Sequence, residues 1–145
     1  SPTFTASPTP ANTATKTSTP TSAGNTLTTG LYENTYSGLT YTGAWTPLIN
    51  SNASGGSLHY STLVADSVSF TFSGQAFSIL YASNSNQGTM SIYVDGLLVA
   101  NLSQASATAI WRNMWASPTF ANGTHSVVLK HIGAGVITLD AIKIP

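Results

Sequence analysis

In DSVSFTFS, residues 66–73, polar and apolar side chains alternate from Ser67 to Ser73. Val68, Phe70 and Phe72 occupy one set of alternate positions, and Ser or Thr fills the other set, residues 67, 69, 71 and 73. Because successive side chains of a strand point to opposite faces, this pattern predicts a strand with one buried face and one solvated face. A half-buried strand requires a second layer to cover it, so the stretch favours a layered β fold.

Further short runs rich in Val, Ile, Tyr, Phe and Thr are separated by Gly, Asn and Ser, which is typical of strands joined by turns. In SIYVDGLLVANL, Asp95-Gly96 lies between two apolar runs and predicts a tight hairpin. No long segment has a helical period. The predicted strands are 31–37, 39–45, 57–62, 66–73, 75–82, 88–94, 97–103, 107–116, 124–131 and 135–144. We therefore predict an all-β domain at residues 25–145, an antiparallel β-sandwich of the jelly-roll type.

Charged residues are scarce, with four Lys and Arg against four Asp and Glu and a net charge of zero. The chain lacks the basic patch that nucleic acids or anionic lipid surfaces would require, so neither is an expected partner. No apolar run is long enough to span a membrane. The absence of Cys excludes disulfides and thiol chemistry. Hydroxyl groups, amides or attached sugars must therefore keep the surface soluble.

Catalytic groups are few as well. The three His residues show no metal-ligand spacing, and the sequence contains neither a G-x-S-x-G elbow nor a phosphate-binding glycine loop. A glycosidase would need two carboxylates beside a cleft. Asp95 belongs to the predicted turn and Asp66 to a strand start, which leaves Glu33 and Asp140. We expect that the protein is not an enzyme.

Aromatic residues offer a binding hypothesis instead, since sugar recognition uses rings that stack on the apolar faces of pyranoses. In WRNMW a strand would place Trp111, Asn113 and Trp115 on one face and Arg112 with Met114 on the other. The alternative, which a sandwich favours, is that one of these two faces simply belongs to the core. The loop ASNSNQG, residues 82–88, could add a polar rim. The candidate carbohydrate-binding residues are Trp45, Tyr81, Asn84, Trp111 and Trp115.

The domain resembles the carbohydrate-binding-module-like, galactose-binding-domain-like jelly rolls of bacterial extracellular proteins. The stretches that carry the resemblance run from residue 31 to 144 and are YTGAWT, GGSLHYS, SVSFTFSGQAFSILY, YVDG, IWRNMW, ANGTHSVVLKH and LDAIKI. The resemblance implies a β-sandwich fold. The loop that carries charged or ring residues in sugar-binding members reads ASNSNQG here, which departs from a conventional sugar pocket.

The resemblance also implies a structural calcium site, because related modules hold calcium with an acidic residue of the first strand and an aspartate of the last. The corresponding positions are Glu33 in YENTY and Asp140 in LDAI. Calcium takes six to eight oxygens, some of which Asn34 and backbone carbonyls could supply. The alternative is that backbone N–H groups or a Lys satisfy Asp140. Calcium is possible, and no cofactor is required.

Residues 1–24 are rich in Thr, Ser and Pro, and we interpret them as an extended tail ahead of the domain. One hypothesis is a flexible or semi-extended linker, often O-glycosylated in bacterial surface proteins. A tail of such low hydrophobicity cannot offset an ordering entropy of about 1–2 kcal/mol per residue by itself. If the tail is ordered, an outside surface holds it. The second hypothesis is therefore a donor strand that adds to a sheet edge of the next copy.

Proline cannot donate to a strand ladder, so pairing would use the Pro-free runs 3–7 and 11–19. Phe4, Ala6 and Ala14 would face inward and the Thr hydroxyls outward. Because donor and acceptor surfaces differ, such contacts propagate into a filament. The candidate assembly residues are Thr3, Phe4, Thr5, Ala6, Ala14 and Thr15.

Glycosylation is compatible with both hypotheses. Candidate O-linked sites are the Thr residues of the tail, and candidate N-linked sites lie in three Asn-x-Ser/Thr sequons. The candidates are Thr3, Thr5, Thr9, Thr13, Thr15, Thr17, Thr19, Thr21, Asn52, Asn101 and Asn122.

The sequence thus favours an extracellular or cell-surface structural protein, a glycosylated filament subunit whose partners are copies of itself and glycans. The alternative function is a non-catalytic carbohydrate-binding module that is tethered by the Thr/Pro-rich linker.

Overall fold

The computed structural model describes residues 25–145, so every prediction on residues 1–24 lies outside the described residues. The described part contains twelve β-strands and one 3₁₀ turn, Ser54–Gly56. The strands are β1 (Gly30–Glu33), β2 (Thr40–Thr42), β3 (Trp45–Ile49), β4 (Ser57–Ser61), β5 (Ser67–Gly74), β6 (Ser78–Ser83), β7 (Thr89–Val94), β8 (Leu97–Ser103), β9 (Ile110–Ala116), β10 (Gly123–Ile132), β11 (Ile137–Leu139) and β12 (Ala141–Ile144).

A five-stranded antiparallel sheet, in the order β2-β5-β10-β7-β8, forms one layer. In β5 the side chains of Val68, Phe70 and Phe72 are at most 4% exposed, whereas the Ser and Thr residues between them are partly or fully exposed. Val127 and Leu129 of β10 lie opposite Phe70 and Val68 and are buried with them. The alternation in the sequence therefore marks the face of this sheet that points into the core.

The opposite layer contains a four-stranded sheet, β1-β12-β6-β9, and a three-stranded sheet, β11-β4-β3. Asp140 alone separates β11 from β12, so the chain passes from one of these sheets to the other at this residue. Its N–H donates to the Leu80 carbonyl, and its carbonyl accepts from the Asn34 N–H. Buried side chains of both layers share one core, to which β6 contributes Ile79 and β12 contributes Ile142. The predicted all-β sandwich is confirmed.

The predicted hairpin is present between β7 and β8. Asp95 and Gly96 both have left-handed backbone angles, with φ of 51° and 81°, as a two-residue turn between twisted strands requires. The Asp95 carboxylate accepts from the Ser126 N–H at 2.9 Å and contacts His125 Nδ1 at 2.7 Å. The backbone of Asp95 thus forms the turn, and its carboxylate is hydrogen-bonded to the neighbouring strand β10.

Some predicted strand boundaries are wrong. The predicted strand 39–45 ended at Trp45, where β3 begins, and β3 continues through Pro47 to Ile49. The proline is tolerated since β3 pairs with β4 only and forms the edge of its sheet. The predicted strand 135–144 is divided at Asp140, and β9 begins at Ile110 rather than at residue 107.

None of the helical structure described for residues 25–145 is long and apolar enough to cross a membrane.

Candidate carbohydrate-binding groove

A groove with a volume of 360 Å³ lies over the three-stranded sheet, beside the ends of β6 and β9. Tyr60 of β4 and Trp111 of β9 supply its aromatic surface. Both rings are half-buried and pack against a small cluster made by Ala53, Leu58 and Ala82. The volume lies in the usual range for small-ligand pockets, which combine apolar walls with a few polar groups.

A β-bulge in β9 adjoins the groove. Asn113 lies opposite Tyr81 and Ile110 opposite Ser83, so Trp111 and Arg112 together face one residue of β6. Arg112 has a φ of 54°, which is strained for a residue with a side chain. Bulges of this kind redirect side chains and are frequent beside functional sites.

The Arg112 guanidinium anchors this bulge to the loop 50–56. Its Nε donates to the Asn52 carbonyl at 3.0 Å, and its terminal nitrogen donates to the Ala53 carbonyl at 3.2 Å. Because Ala53 belongs to the cluster under Trp111, these bonds connect the strained residue to the packing of the indole. Arg112 is therefore placed to hold Trp111 in the groove wall.

The loop after β6 contributes amides to the groove through Asn84, Asn86 and Gln87. This loop is tied to the segment before β11, since the Gly88 N–H donates to the Val136 carbonyl at 2.7 Å and the Val136 N–H to the Asn86 carbonyl at 3.1 Å. The approach is so close that a Cβ on Gly88 would lie 2.5 Å from the Ala134 carbonyl oxygen. The amide side chains thus project from a fixed backbone.

The buried polar groups beneath the groove are satisfied, with one exception. Thr138 Oγ1 donates to the Ala82 carbonyl at 3.0 Å, and Gln104 Nε2 donates to the Thr138 carbonyl at 2.9 Å. By contrast, the side-chain oxygen of Gln87 is buried and accepts no hydrogen bond from the described residues. An unpaired buried acceptor is costly, so this oxygen has an unused capacity for a donor.

The predicted binding residues divide into two sets. Asn84 and Trp111 line the groove. Tyr81 is only 6% exposed and belongs to the core, and burial raises the pKa of its hydroxyl. The Trp115 ring lies 5.8 Å from Phe77, and the Trp45 indole donates to the Ser67 carbonyl at 3.0 Å. Trp45, Tyr81 and Trp115 are thus placed apart from the groove.

Sequence reasoning missed Tyr60 and did not single out Gln87. The signal for Tyr60 was available, since the alternation in GGSLHYS puts Leu58 and Tyr60 on one face of a strand. Gln87 could be assigned only as a member of an Asn-rich loop, because the parallel bridge between Gln87 and Val136 joins residues far apart in sequence.

Glu33 and Asp140 lie together at the junction of the two sheets, around Ser54. The Ser54 hydroxyl donates to Glu33 Oε1 at 2.9 Å, and the Ser54 N–H donates to Asp140 Oδ2 at 3.0 Å. The pKa of Asp140 is raised, mainly by burial and also by the negative charge of Glu33. The hydrogen bond from the Ser54 N–H and the positive charge of Arg112 oppose this shift. Neither carboxylate lines the groove.

These residues fit a cation in one respect. Glu33 Oε2 and Asp140 Oδ1 are buried and accept no hydrogen bond from the described residues, and paired carboxylate oxygens are calcium ligands. Asn34 is not free to help, because its amide contacts His59 Nδ1 at 2.9 Å and accepts from the Ser57 hydroxyl at 3.1 Å. Within residues 25–145, no group of three or more His, Cys, Asp or Glu could hold a metal. Glu33 and Asp140 would hold calcium with carbonyl oxygens, and calcium would neutralise the pair.

Ser61, His131 and Asp66 form a second buried polar cluster. Ser61 Oγ lies 2.7 Å from Asp66 Oδ2 and 3.0 Å from His131 Nδ1. All three side chains are at most 6% exposed, so no substrate reaches the Ser61 hydroxyl. The backbone adds bonds between Ala65 and His131 and between His131 and Asp66. The hydrogen bonds of this cluster therefore connect the turn before β5 to the end of β10.

The sequon residues Asn52, Asn101 and Asn122 are all exposed, although Asn101 Oδ1 accepts from the Ser91 hydroxyl at 2.6 Å. Glycosylation of these positions stays a prediction. The Thr sites and the assembly residues of the tail lie outside the described residues.

The comparisons with known proteins agree with the fold. No family model matches the chain. A curated relative, an A type blood N-acetyl-alpha-D-galactosamine deacetylase from Flavonifractor plautii, is 29% identical over 89 residues. The match covers 61% of this chain but only 12% of that protein.

Three solved structures are similar in fold. An exo-beta-1,3-galactanase from Phanerochaete chrysosporium with beta-1,3-galactotriose has a TM-score of 0.58 and 18% identity, and the match covers 81% of this chain and 29% of that chain. The CBM36-1 domain of a multidomain xylanase from the hindgut metagenome of Trinervitermes trinervoides has a TM-score of 0.57 and 16% identity, with 80% of this chain and 95% of that domain covered. The catalytic domain of a GH87 alpha-1,3-glucanase with nigerose has a TM-score of 0.55 and 19% identity, with 83% of this chain and 29% of that chain covered. The domain therefore has the β-sandwich fold of carbohydrate-binding modules, as the sequence predicted.

Proposed function

We propose that this domain is a non-catalytic carbohydrate-binding module and that its ligand site is the groove containing Tyr60 and Trp111. The observation that carries the proposal is the combination of these two half-buried rings with the amides of Asn84, Asn86 and Gln87. An aromatic ring gives a large apolar contact surface for a sugar ring, while amides both donate to and accept from hydroxyls. The groove thus offers both kinds of contact that a glycan needs.

The distribution of carboxylates supports binding rather than hydrolysis. Glycoside hydrolysis uses two carboxyl groups that flank the scissile bond. No Asp or Glu of the part of the chain that the structure describes lines the groove, while Glu33 and Asp140 contact Ser54 in the interior. The described groove residues can therefore position a glycan but supply neither the carboxylic acid nor the carboxylate that this mechanism uses.

The similar proteins support the same proposal at the level of class. The match to the CBM36-1 domain covers 95% of that domain and 80% of this chain. The galactanase structure contains a galactotriose. Under this proposal residues 1–24 serve as an extracellular linker, and the partners of the domain are glycans rather than further copies. The filament hypothesis rests on the tail, and none of the similar proteins named above is a filament subunit.

Affinity electrophoresis tests the proposal directly. The protein is run through gels containing β-1,3-galactan, α-1,3-glucan or xylan, beside the variants Trp111→Ala and Met114→Ala. Met114 is an exposed residue of the same strand that does not line the groove, so it is the matched control. We expect at least one polysaccharide to retard the wild type and Met114→Ala but not Trp111→Ala. Equal retardation of all three proteins would contradict the proposed site, and no retardation by any polysaccharide would contradict the function.

A further inference from the structure

We infer that the groove takes an uncharged sugar residue without a bridging cation and that the side-chain oxygen of Gln87 accepts a hydrogen bond from one of its hydroxyls. This inference rests on the proposed function and adds the chemical class of the ligand and a specificity-determining residue. It is carried by two observations on the groove, its lack of charge and its unpaired acceptor.

The first observation is electrostatic. Among residues 25–145, the side chains that line the groove are aliphatic, aromatic, hydroxyl or amide, and none of them is Asp, Glu, Lys, Arg or His. A carboxylate or sulfate on the sugar would lose hydration there without gaining a counter-charge. Arg112 is not one of the lining residues, and two of its N–H groups are directed to the carbonyls of Asn52 and Ala53.

A bridging metal is disfavoured for the same reason. Calcium binds through several oxygens and selects sites with carboxylates. The groove has amide and hydroxyl oxygens only, and the buried pair Glu33 and Asp140 lies outside its lining. Sugar binding in the groove should therefore be insensitive to chelators, whatever calcium does for the stability of the fold.

The second observation is the Gln87 side chain. Its oxygen is buried and unpaired among the described residues, and its amide nitrogen makes only a long contact of 3.5 Å to Asn86 Oδ1. The backbone around Gln87 is fixed by its bridge to Val136 and by the close contact of Gly88 with Gly135. Because Gln87 lines the groove and its amide is held only by that long contact, a rotation of the amide brings this oxygen to a donor in the groove while the backbone stays in place. The entropy lost on binding is then confined to the side chain.

The test compares matched ligands and matched variants. The probes are β-1,3-galactan and α-1,3-glucan oligosaccharides and the carboxymethylated form of each, titrated calorimetrically against the wild type, Gln87→Leu and Gln75→Leu. Gln75 lies outside this groove, so its variant controls for the loss of an amide elsewhere on the surface. Leu has nearly the volume of Gln but cannot accept a hydrogen bond, and thermal melts confirm that each variant is folded.

We expect a neutral probe to bind the wild type and Gln75→Leu alike and to bind Gln87→Leu about tenfold more weakly. Carboxymethylation should weaken binding at least about tenfold, and affinity should not change between about 0.05 and about 0.5 M NaCl or on addition of EDTA. Equal affinity of Gln87→Leu and wild type, preference for a carboxymethylated probe, or loss of binding with EDTA would overturn the inference alone. Failure of every probe to bind would instead overturn the proposed function.

Discussion

Arg112 connects backbone strain to the binding groove, and two substitutions separate its contributions. The variant Arg112→Ala loses the two hydrogen bonds to the carbonyls of Asn52 and Ala53 but keeps a side chain at a φ of 54°. Arg112→Gly loses the same bonds and also removes the steric penalty of the left-handed conformation. Comparing the two variants therefore isolates the strain.

The magnitudes follow from the exposure of the residue. Hydrogen bonds from a charged donor contribute about 1.5–3 kcal/mol when buried. Arg112 is an exposed residue, so we expect Arg112→Ala to lower the free energy of unfolding by only about 1–2 kcal/mol for both bonds. The left-handed conformation costs about 1–2 kcal/mol for a residue with a side chain. Glycine avoids this cost but loses more conformational entropy on folding, which offsets part of the gain in stability. Arg112→Gly should therefore be about 0.5–1 kcal/mol more stable than Arg112→Ala.

Urea denaturation of the three proteins, followed by tryptophan fluorescence, measures these differences. The bonds hold the loop beneath Trp111, so both variants should also bind glycan more weakly than the wild type. An Arg112→Ala protein that is as stable as Arg112→Gly, or that binds glycan as tightly as the wild type, would refute the assignment of strain and positioning to this residue.

Three further predictions concern other parts of the domain. If Glu33 and Asp140 hold calcium, a calcium concentration about a hundredfold above Kd raises the free energy of unfolding by about 2.7 kcal/mol. EDTA should then lower Tm by about 8 °C or more; an unchanged Tm would contradict a calcium site at these residues. The hydrogen bond to the Asp95 carboxylate and a second bond to the Ala121 carbonyl raise the pKa of His125 above its ordinary 6.5. The bond that Asp95 accepts from His125 lowers the pKa of Asp95 below 3.8. The pair therefore stabilises the fold most between those values, and its contribution declines as the pH rises through the His125 pKa or falls through the Asp95 pKa. Asp95→Asn keeps the turn and should reduce this pH dependence by about 0.5 kcal/mol in urea titrations, while the bond of His125 to the Ala121 carbonyl keeps the remainder; a profile equal to the wild type would contradict it. Gly88→Ala should lower the free energy of unfolding by more than about 2 kcal/mol and weaken glycan binding, because its Cβ would lie 2.5 Å from the Ala134 carbonyl oxygen. A variant as stable as the wild type would contradict the claim that this backbone is fixed.

The sequence predicted what depends on local pattern. The buried face of β5 and the Asp95-Gly96 hairpin follow from periodicity and turn chemistry, and both are present. The edge strand β3 did not follow, because Pro47 signals a break and only the sheet order shows that it lies at an edge. The break at Asp140 is also nonlocal, since it is stabilised by bonds to Leu80 and Asn34.

The groove could be predicted only in part for the same reason. WRNMW identified Trp111 as a candidate, but alternation could not distinguish it from Trp115, which packs on Phe77 in the core. The distinction depends on the bulge at Arg112 and on the Asn84–Gln87 loop, whose partners are distant in the chain.

The most direct test of a glycan-binding groove is a map of backbone and indole N–H chemical shifts during titration with β-1,3-galactotriose and with nigerose. We predict that, for at least one of them, the largest shifts fall on the Trp111 indole N–H, on Tyr60 and on the amides of Asn84 and Gln87. Trp45 and Trp115, whose rings lie outside the groove lining, should shift little. Shifts centred on Trp45 or on the surface around Gln75, with Trp111 unchanged, would contradict the account.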